Sequence, residues 1–412
     1  MSDESLTRHP SPVTRHPAKV LHLAAADSML FPILRDQLKF LRERGYDVHT
    51  ASIDGALGRR IRDEDGFPWT PLPLTREFDP FGDWKAMSFI AELCRREKFD
   101  IVHTHTPKGN LVGQIAARRA GVPIVLQTLH GFYFHERMPA AKKKIWMALE
   151  RLSAAHSDHV LCQNPEDVET ALNAGIVKPG EITLLGNGID LERFKPVCER
   201  TSNEKAGETP TLRSRKRELN IPERALVVGM VGRFVAEKGF PEFLRAGAIL
   251  CAEFPDLHLL AIGHKLESER KGERWEPEDF SELRGRMTVL SDRDDMPDLY
   301  GCMDVHVLPS HREGFPRALM EGAAAGLPQV ATNIRGCRQT VEDGRTGYLI
   351  RVGDVSELAA RLRELLSSPD LRRRMGEAAR AKALAEFDQR CVFEKVDACY
   401  QGLLERQGRG KA

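Results

Sequence analysis

Asp304-Val-His-Val-Leu-Pro-Ser-His-Arg-Glu-Gly-Phe-Pro-Arg-Ala-Leu-Met-Glu-Gly-Ala-Ala-Ala-Gly326 decides how this chain folds. The apolar opening reads as a strand ending at Pro309. Residues Arg317 to Ala325 are dense in Ala, Leu and Met and read as a helix closed by Gly326. Pro316 suits the first helical position, where its missing N–H has no partner to lose. Glu313 then sits on the loop and Glu321 within the helix, at two heights of one cleft. Between them the N–H groups of Phe315, Arg317 and Ala318 lack intrahelical acceptors and favour an anion. An anion cradle with a carboxylate on each side suits a nucleotide-sugar, with the diphosphate in the middle and hydroxyls at both ends.

Working outward, short apolar runs alternate with helical patterns along the chain. Expected strands are Val20–Ala24, Val48–Ser52, Ile101–His103, Ile124–Thr128, His159–Cys162 and Ile182–Leu185. Helical patterns between them cover Phe31–Arg44, Asp83–Lys98, Leu111–Ala120, Ala140–Ala154 and Pro165–Ala174. A second series begins after a polar stretch. It has strands at Leu226–Val231, Leu257–Ile262, Met287–Leu290, Val305–Leu308, Gln329–Ala331 and Gly347–Ile350. Its helices fall at Phe240–Ala252, Arg317–Ala325, Val355–Leu366, Leu371–Ala385 and Gln389–Glu405. Strand–helix alternation of this kind predicts α/β architecture: two doubly wound parallel sheets, Rossmann-like, facing a central cleft. The expected boundaries are a disordered tail (1–18), a first domain (19–194), a linker region (195–220) and a second domain (221–387). A C-terminal helix within 388–412 is expected to return to the first domain.

Composition excludes several classes. The chain has 412 residues, more than one core usually supports, so two domains are the default. A net charge of +1 gives no reason to expect nucleic acid as a partner. The eight cysteines are scattered without a Cys-x-x-Cys pair, which suits a reducing compartment with neither a disulfide framework nor a zinc site. No apolar run approaches the roughly 20 residues needed to span a bilayer. Ser2 to Pro17 has no apolar signal region, so a cytoplasmic protein is expected.

Other motifs fall at strand ends, where ligands of open α/β sheets bind. Leu226-Val-Val-Gly-Met-Val-Gly-Arg233 finishes in an arginine, with Glu237-Lys238-Gly239 just beyond. Arg233 and Lys238 are suited to a diphosphate and to stabilising it as it departs, without a metal. Two solvated charges on a turn are the bland alternative. Asp292 and Asp294 form an Asp-x-Asp that could clamp a metal, but Asp295 or Met296 capping a short helix that starts with Pro297 is the better reading. Arg293 lies in this loop, expected to border the nucleotide base. Asn333-Ile-Arg-Gly-Cys-Arg338 reads either as a Gly-built turn or as a basic rim near the ligand.

Gly232-Arg233, Glu237-Lys238-Gly239, Pro309-Ser310, the run from Glu313 to Glu321 and Gly326-Leu-Pro328 together resemble family 4 glycosyltransferases, with the GT-B fold. Arg335-Gly-Cys-Arg338 narrows the resemblance to the bacterial capsule, O-antigen and exopolysaccharide branch. The resemblance implies a retaining transfer from a nucleoside-diphosphate sugar, UDP by family frequency, with no cofactor and no required metal. It also implies that Glu313 holds hydroxyls of the transferred sugar and Glu321 the ribose. Arg233 and Lys238 bind the diphosphate, and the backbone from Gly314 through Phe315 and Arg317 to Ala318 completes the cradle. Many relatives carry Gly-Gly in the first strand-to-helix loop. Here Ala24-Ala-Ala-Asp-Ser28 stands instead, which puts donor contacts from that loop in doubt.

The first half carries His103-Thr-His105-Thr-Pro-Lys108 and His130-Gly131-Phe132-Tyr133-Phe134 at strand ends. Alternation sends His103 and His105 to one face, and a metal there needs a third ligand that nothing nearby suggests. His130 is either a satisfied core histidine or a ligand residue. Gly131 allows close backbone approach, the aromatics offer faces for a sugar, and the family places a His-Gly here. His105, Lys108, His130 and Phe132 are thus acceptor-side candidates, and His130 joins Glu313, Arg233 and Lys238 as a catalytic candidate. Arg137 to Arg151 holds five basic residues with Ile145, Trp146, Leu149 and Leu152 at helical spacing. This reads as a solvated helix face or as a basic amphipathic surface on anionic lipid near a lipid-linked acceptor. A sugar-nucleotide epimerase or hydrolase on the same fold, and a partner subunit without catalysis, are the competing functions.

Overall fold

Each half of the chain builds one parallel sheet. The computed structural model describes residues 17–75, 79–135, 138–196, 212–264 and 283–409. The expected tail other than residues 17 and 18, residues 197–211 of the expected linker (Cys198 among them) and Arg137 lie outside these. The first sheet contains β1 (Lys19–Ala24), β2 (Asp47–Ile53), β3 (Trp69–Leu72), β4 (Ile101–His105), β5 (Ile124–Leu129), β6 (His159–Cys162) and β7 (Ile182–Leu184). The second contains β8 (Leu226–Arg233), β9 (Leu257–His264), β10 (Met287–Ser291), β11 (Val305–Leu308), β12 (Gln329–Thr332) and β13 (Gly347–Ile350). Their orders are β3-β2-β1-β4-β5-β6-β7 and β10-β9-β8-β11-β12-β13. Helices cover both faces, so β4 and β5 are buried along their whole length, as parallel strands must be.

Strand order reverses between β1 and β4 in one sheet and between β8 and β11 in the other. At such a point the loops leave in opposite directions and open a crevice at the carboxyl ends of the strands. The two crevices meet across the cleft. The chain crosses between the halves twice, and the crossings run side by side. Ile189 N–H donates to Phe387 O at 2.9 Å, and Gln389 N–H returns to Ile189 O at 3.2 Å. The helix Gln389–Arg409 then lies on the first half, burying Val392, Phe393, Val396, Tyr400 and Leu403 in the same cluster as Val20, Leu38 and Leu41. Burying each of its aromatics contributes roughly 1.5–3 kcal/mol.

Three departures from the sequence reading have local causes. The helix Ala56–Asp65 and β3 were not expected. That helix buries only Gly58 and Ile61, and β3 contains Pro71, tolerated because the strand lies at the sheet edge. The helix expected from Phe31 opens with a π-turn at Leu30–Leu34 before the α-helix Arg35–Glu43; Pro32 supplies no N–H to an α ladder there. Within the expected linker, Leu212–Glu218 is a helix, anchored by Lys216 Nζ on Ala225 O at 3.0 Å.

Candidate active site

The turn after β8 and the loop after β11 interlock at the second crevice. Gly239 has φ +87° and presses against Pro309; a Cβ there would lie 2.3 Å from Pro309 O. His311 N–H donates to Glu237 O at 2.8 Å. This contact brings Lys238 and Glu313 together across a wide sequence separation. Glu313 Oε1 accepts from Lys238 Nζ at 2.6 Å and from Ser310 Oγ at 2.7 Å. Arg312 pairs with Glu237 at 2.7 Å and covers the Tyr133 ring at 4.5 Å. Burial pushes the Glu237 carboxyl up, but the Arg312 bond, with Lys238 and Arg233 nearby, holds it below its ordinary range. Arg233 ends β8 beside His264, in the same crevice.

Glu321 sits on the second turn of the helix Arg317–Ala324. Pro316 occupies the N-cap of that helix rather than its first position, and no side chain caps it. Its first N–H groups therefore face the cleft without an intrahelical acceptor. Glu321 Oε2 lies 3.0 Å from the Tyr300 hydroxyl, which also lies 3.1 Å from Ala318 O. Arg317 Nε is 3.9 Å from the other carboxylate oxygen. Burial raises the Glu321 carboxyl above its ordinary value, with Arg317 and Tyr300 opposing it.

The loop between the two glutamates is seated against the first half. Gly131 has φ +117° and touches Gly314; a Cβ on Gly314 would lie 1.9 Å from His130 O. Asn164 Nδ2 donates to Gly314 O at 2.9 Å, and Asn187 Nδ2 to Phe315 O at 3.0 Å. Arg317 Nη1 donates to Ile33 O, in the π-turn, at 3.3 Å. Asn333–Arg338 is neither an open turn nor a free basic rim. Arg335–Thr340 is a helix whose Arg335 pairs with the buried Asp167, while Arg338 pairs with Glu166 at 2.6 Å across the cleft.

The remaining candidates divide. Phe132 turns inward, buried and stacked on Phe134 at 4.6 Å, so its face is not offered to a ligand. Lys108 pairs with Asp83 at 2.6 Å. Arg293 forks onto Asp295 at 2.7 and 2.5 Å, beyond the edge strand β10. That bidentate pair also explains why Asp295, at the N-cap of the helix Met296–Gly301, makes no capping bond. His105 is fully buried and reaches the cleft only through His130, whose Nε2 lies 3.1 Å from His105 Nδ1. Burial lowers His130 to about 4. A third imidazole does stand beside His103 and His105. It is His22, opposite His103 in the β1–β4 register, and a distant strand is not visible from the spacing. Sequence reading also missed Tyr300, Asn164 and Asn187. Asn164 carries a signal, a helix-capping Asn before Pro at a strand end.

Comparisons with known proteins bear on the family and the fold. Residues 213–382 match the model for "Glycosyl transferases group 1", and residues 32–188 match that for "Glycosyl transferase 4-like domain". The chain is 27% identical over 397 residues to the capsular polysaccharide biosynthesis glycosyltransferase CapM of Staphylococcus aureus, covering 95% of this chain and 99% of that one. It is 32% identical over 285 residues to the UDP-Gal:alpha-D-GlcNAc-diphosphoundecaprenol alpha-1,3-galactosyltransferase of Escherichia coli, covering 68% of this chain and 70% of the relative. The crystal structure of Anabaena Alr3699/HepE with UDP and glucose superposes with a TM-score of 0.74 at 20% identity, over 93% of this chain and all of that one. The chain belongs to the family 4 (group 1) glycosyltransferases of the GT-B fold, in their bacterial capsule, O-antigen and exopolysaccharide branch.

Proposed function

We propose that this protein is a retaining glycosyltransferase that moves a sugar from a UDP-sugar to a carbohydrate or polyprenyl-linked acceptor in surface polysaccharide synthesis. The Lys238–Glu313 pair carries the reading, set at the strand-order reversal beside an uncapped helix with Glu321 one face further on. Lys238, Arg233 and the N–H groups of Gly314, Phe315, Arg317 and Ala318 receive the diphosphate. Glu313 takes hydroxyls of the transferred sugar, and Glu321, steadied by Tyr300, takes the ribose. The names of the Escherichia coli relative and the Anabaena complex support UDP and a diphosphate-linked acceptor.

In the transfer, an acceptor hydroxyl oxygen bonds to the anomeric carbon as the carbon–oxygen bond to the diphosphate breaks. The hydroxyl proton passes to the departing phosphate on the same face, which retains configuration. Charge develops on the leaving diphosphate, so cations fixed beforehand lower the barrier most. Side chains and helix N–H groups supply that charge here, and the activity is proposed to need neither metal nor cofactor.

The acceptor side extends to a lipid surface. Phe81 and Trp84 are 67% and 57% exposed on the helix Pro80–Glu97, and Ile145 is 62% exposed on Ala140–Ala154. Both helices pack on the helix Pro107–Ala120. These apolar side chains, with the exposed Lys85, Lys142 and Lys144 of the same two helices, suit contact with anionic lipid on the inner side of the plasma membrane. Arg151 is not part of it, since its guanidinium donates to Ala174 O. No helix among the described residues is long and apolar enough to cross a membrane.

Melting the protein against a panel of nucleotides and nucleotide-sugars tests the donor reading. A ligand of the folded state at a hundredfold excess over Kd adds about 2.7 kcal/mol. UDP-sugars are expected to raise the melting temperature. A panel in which no nucleoside diphosphate does so would refute the assignment.

A further inference from the structure

A file of imidazoles runs from the cleft into the first half. His22, His103 and His105 project from one face of β1 and β4, and His130 follows β5. Gln163 Oε1 lies 3.1 Å from His130 Nδ1, and His130 Nε2 lies 3.1 Å from His105 Nδ1. His105 Nε2 is 3.0 Å from His22 Nδ1, and His22 Nε2 is 3.3 Å from the Tyr400 hydroxyl. That hydroxyl is 2.6 Å from His103 Nδ1, and His103 Nε2 ends the file 2.7 Å from Thr128 Oγ1. Each ring uses both nitrogens, and every ring-to-ring contact joins an Nδ1 to an Nε2.

Such a file has only two neutral fillings. A neutral imidazole offers one donor and one acceptor, so the role at one end fixes every other. With the Gln163 carbonyl on His130, Nδ1 carries the hydrogen in all four rings. Tyr400 then donates to His22, and Thr128 to His103. The amide NH2 of Gln163 is the end left over. Gln163 lines a pocket between the halves with Thr128, His130, Asn187 and Arg317. A proton added at Nε2 of His130 or of His105 would set two N–H groups against each other. Burial agrees, holding His22 near 3 and His103 and His105 well below the ordinary value. The ligand atoms of His22, His103 and His105 also lie close enough to hold a metal ion. Every nitrogen of the trio already has a protein partner, however, so a metal would have to break the file.

We propose that His22, His103, His105 and Tyr400 are positioning residues that lock His130 as its Nδ1–H tautomer and turn the Gln163 NH2 toward the pocket as a donor to an oxygen of the bound sugar. This rests on the reading above that the cleft receives a nucleotide-sugar. One polarity runs the length of the file, so with the Gln163 carbonyl held on His130 the NH2 is presented to a ligand that offers an acceptor there.

Nitrogen-15 NMR of the full chain labelled at histidine tests the lock directly, with no variant needed. The expected result is a hydrogen on Nδ1 and none on Nε2 in all four rings. The reverse tautomer, a mixture, or a transition metal bound one to one would each overturn the proposal. Steady-state kinetics test the consequence. Gln163→Glu keeps an acceptor for His130 but removes the NH2, and His105→Leu cuts the file; each is expected to lower kcat/KM roughly fivefold to tenfold, the worth of one hydrogen bond. Because the file acts through Gln163, His105→Leu should add nothing in the Gln163→Glu background. Losses that multiply would make His105 merely structural and sink the idea. Glu313→Ala serves as the separate control: loss of transfer there with no effect at Gln163 rejects this inference alone, whereas full activity of Glu313→Ala rejects the donor site itself.

Discussion

Exchange of Lys238 and Glu313, singly and together, separates a structural ion pair from a donor site. Their charged atoms are 2.6 Å apart, with side chains 18% and 9% exposed. Breaking a fully buried pair costs about 3–5 kcal/mol because a charge is left without its partner. These two retain some water, so Lys238→Met and Glu313→Gln are each expected to cost about 1–3 kcal/mol. For a domain of this size that lowers the melting temperature by roughly 2–4 °C per kcal/mol. The double variant removes both charges and should recover most of the loss. Activity is expected to behave differently. Lys238 serves the diphosphate and Glu313 the sugar, so each single variant should lose about a hundredfold in kcat/KM. Because the two side chains touch, part of each single loss is the partner left unpaired, so the double variant is expected to be slower than either single one yet short of the roughly ten-thousandfold product; groups acting as one unit would give no further loss. The assay is the initial rate of nucleoside-diphosphate release with acceptor present, beside thermal melts of the same preparations. A double variant no slower than either single one would refute the separate roles.

Other outcomes follow from the geometry around this pair. Tyr300→Phe removes a hydroxyl placed between Ala318 O and Glu321, and is expected to cost about 1 kcal/mol and raise the donor KM, read from melts and kinetics. Arg335→Met strips the fully buried Asp167 of its cation; a loss of about 2–4 kcal/mol and a larger radius of gyration by small-angle scattering are expected, and unchanged scattering would show that this pair does not hold the cleft closed. Phe81→Ser with Trp84→Ser should abolish co-sedimentation with anionic vesicles while transfer to a soluble acceptor persists; undiminished sedimentation would remove this face from the account. Burial holds His22 and His306 near 3 and His130 and His258 near 4, below the ordinary 6.5. Between those values the unfolded chain binds more protons, so stability should fall as pH drops from about 6.5 toward 4, which denaturant midpoints will follow. Burial raises Glu150 to about 7, which works in the opposite sense, its contribution being lost as pH climbs through that value.

Both sheets were legible in the sequence because their strands alternate with amphipathic helices at regular spacing. Where that pattern thins, the reading failed: the helix Ala56–Asp65 is mostly charged, and β3 carries a proline. The Lys238–Glu313 contact was approachable only as two strand-end motifs, since the interlock at Gly239 and Pro309 that joins them is tertiary. Arg335 and Arg338 show the limit in the other direction. Their charge was plain, but the acidic partners lie on a helix from the other half. The imidazole file was half visible, because strand alternation aligns His103 with His105. His22 and Tyr400 join it through sheet order and through the return of the last helix.

The most direct test of the account is sugar transfer by Glu313→Ala. The protein is incubated with a panel of UDP-sugars and a polyprenyl-diphosphate-linked acceptor, and the product is separated and its anomeric configuration read by NMR. The wild-type chain is predicted to form a product that keeps the donor's configuration, and Glu313→Ala, though folded, to form none. Transfer by Glu313→Ala at the wild-type rate would contradict the assignment of the donor site.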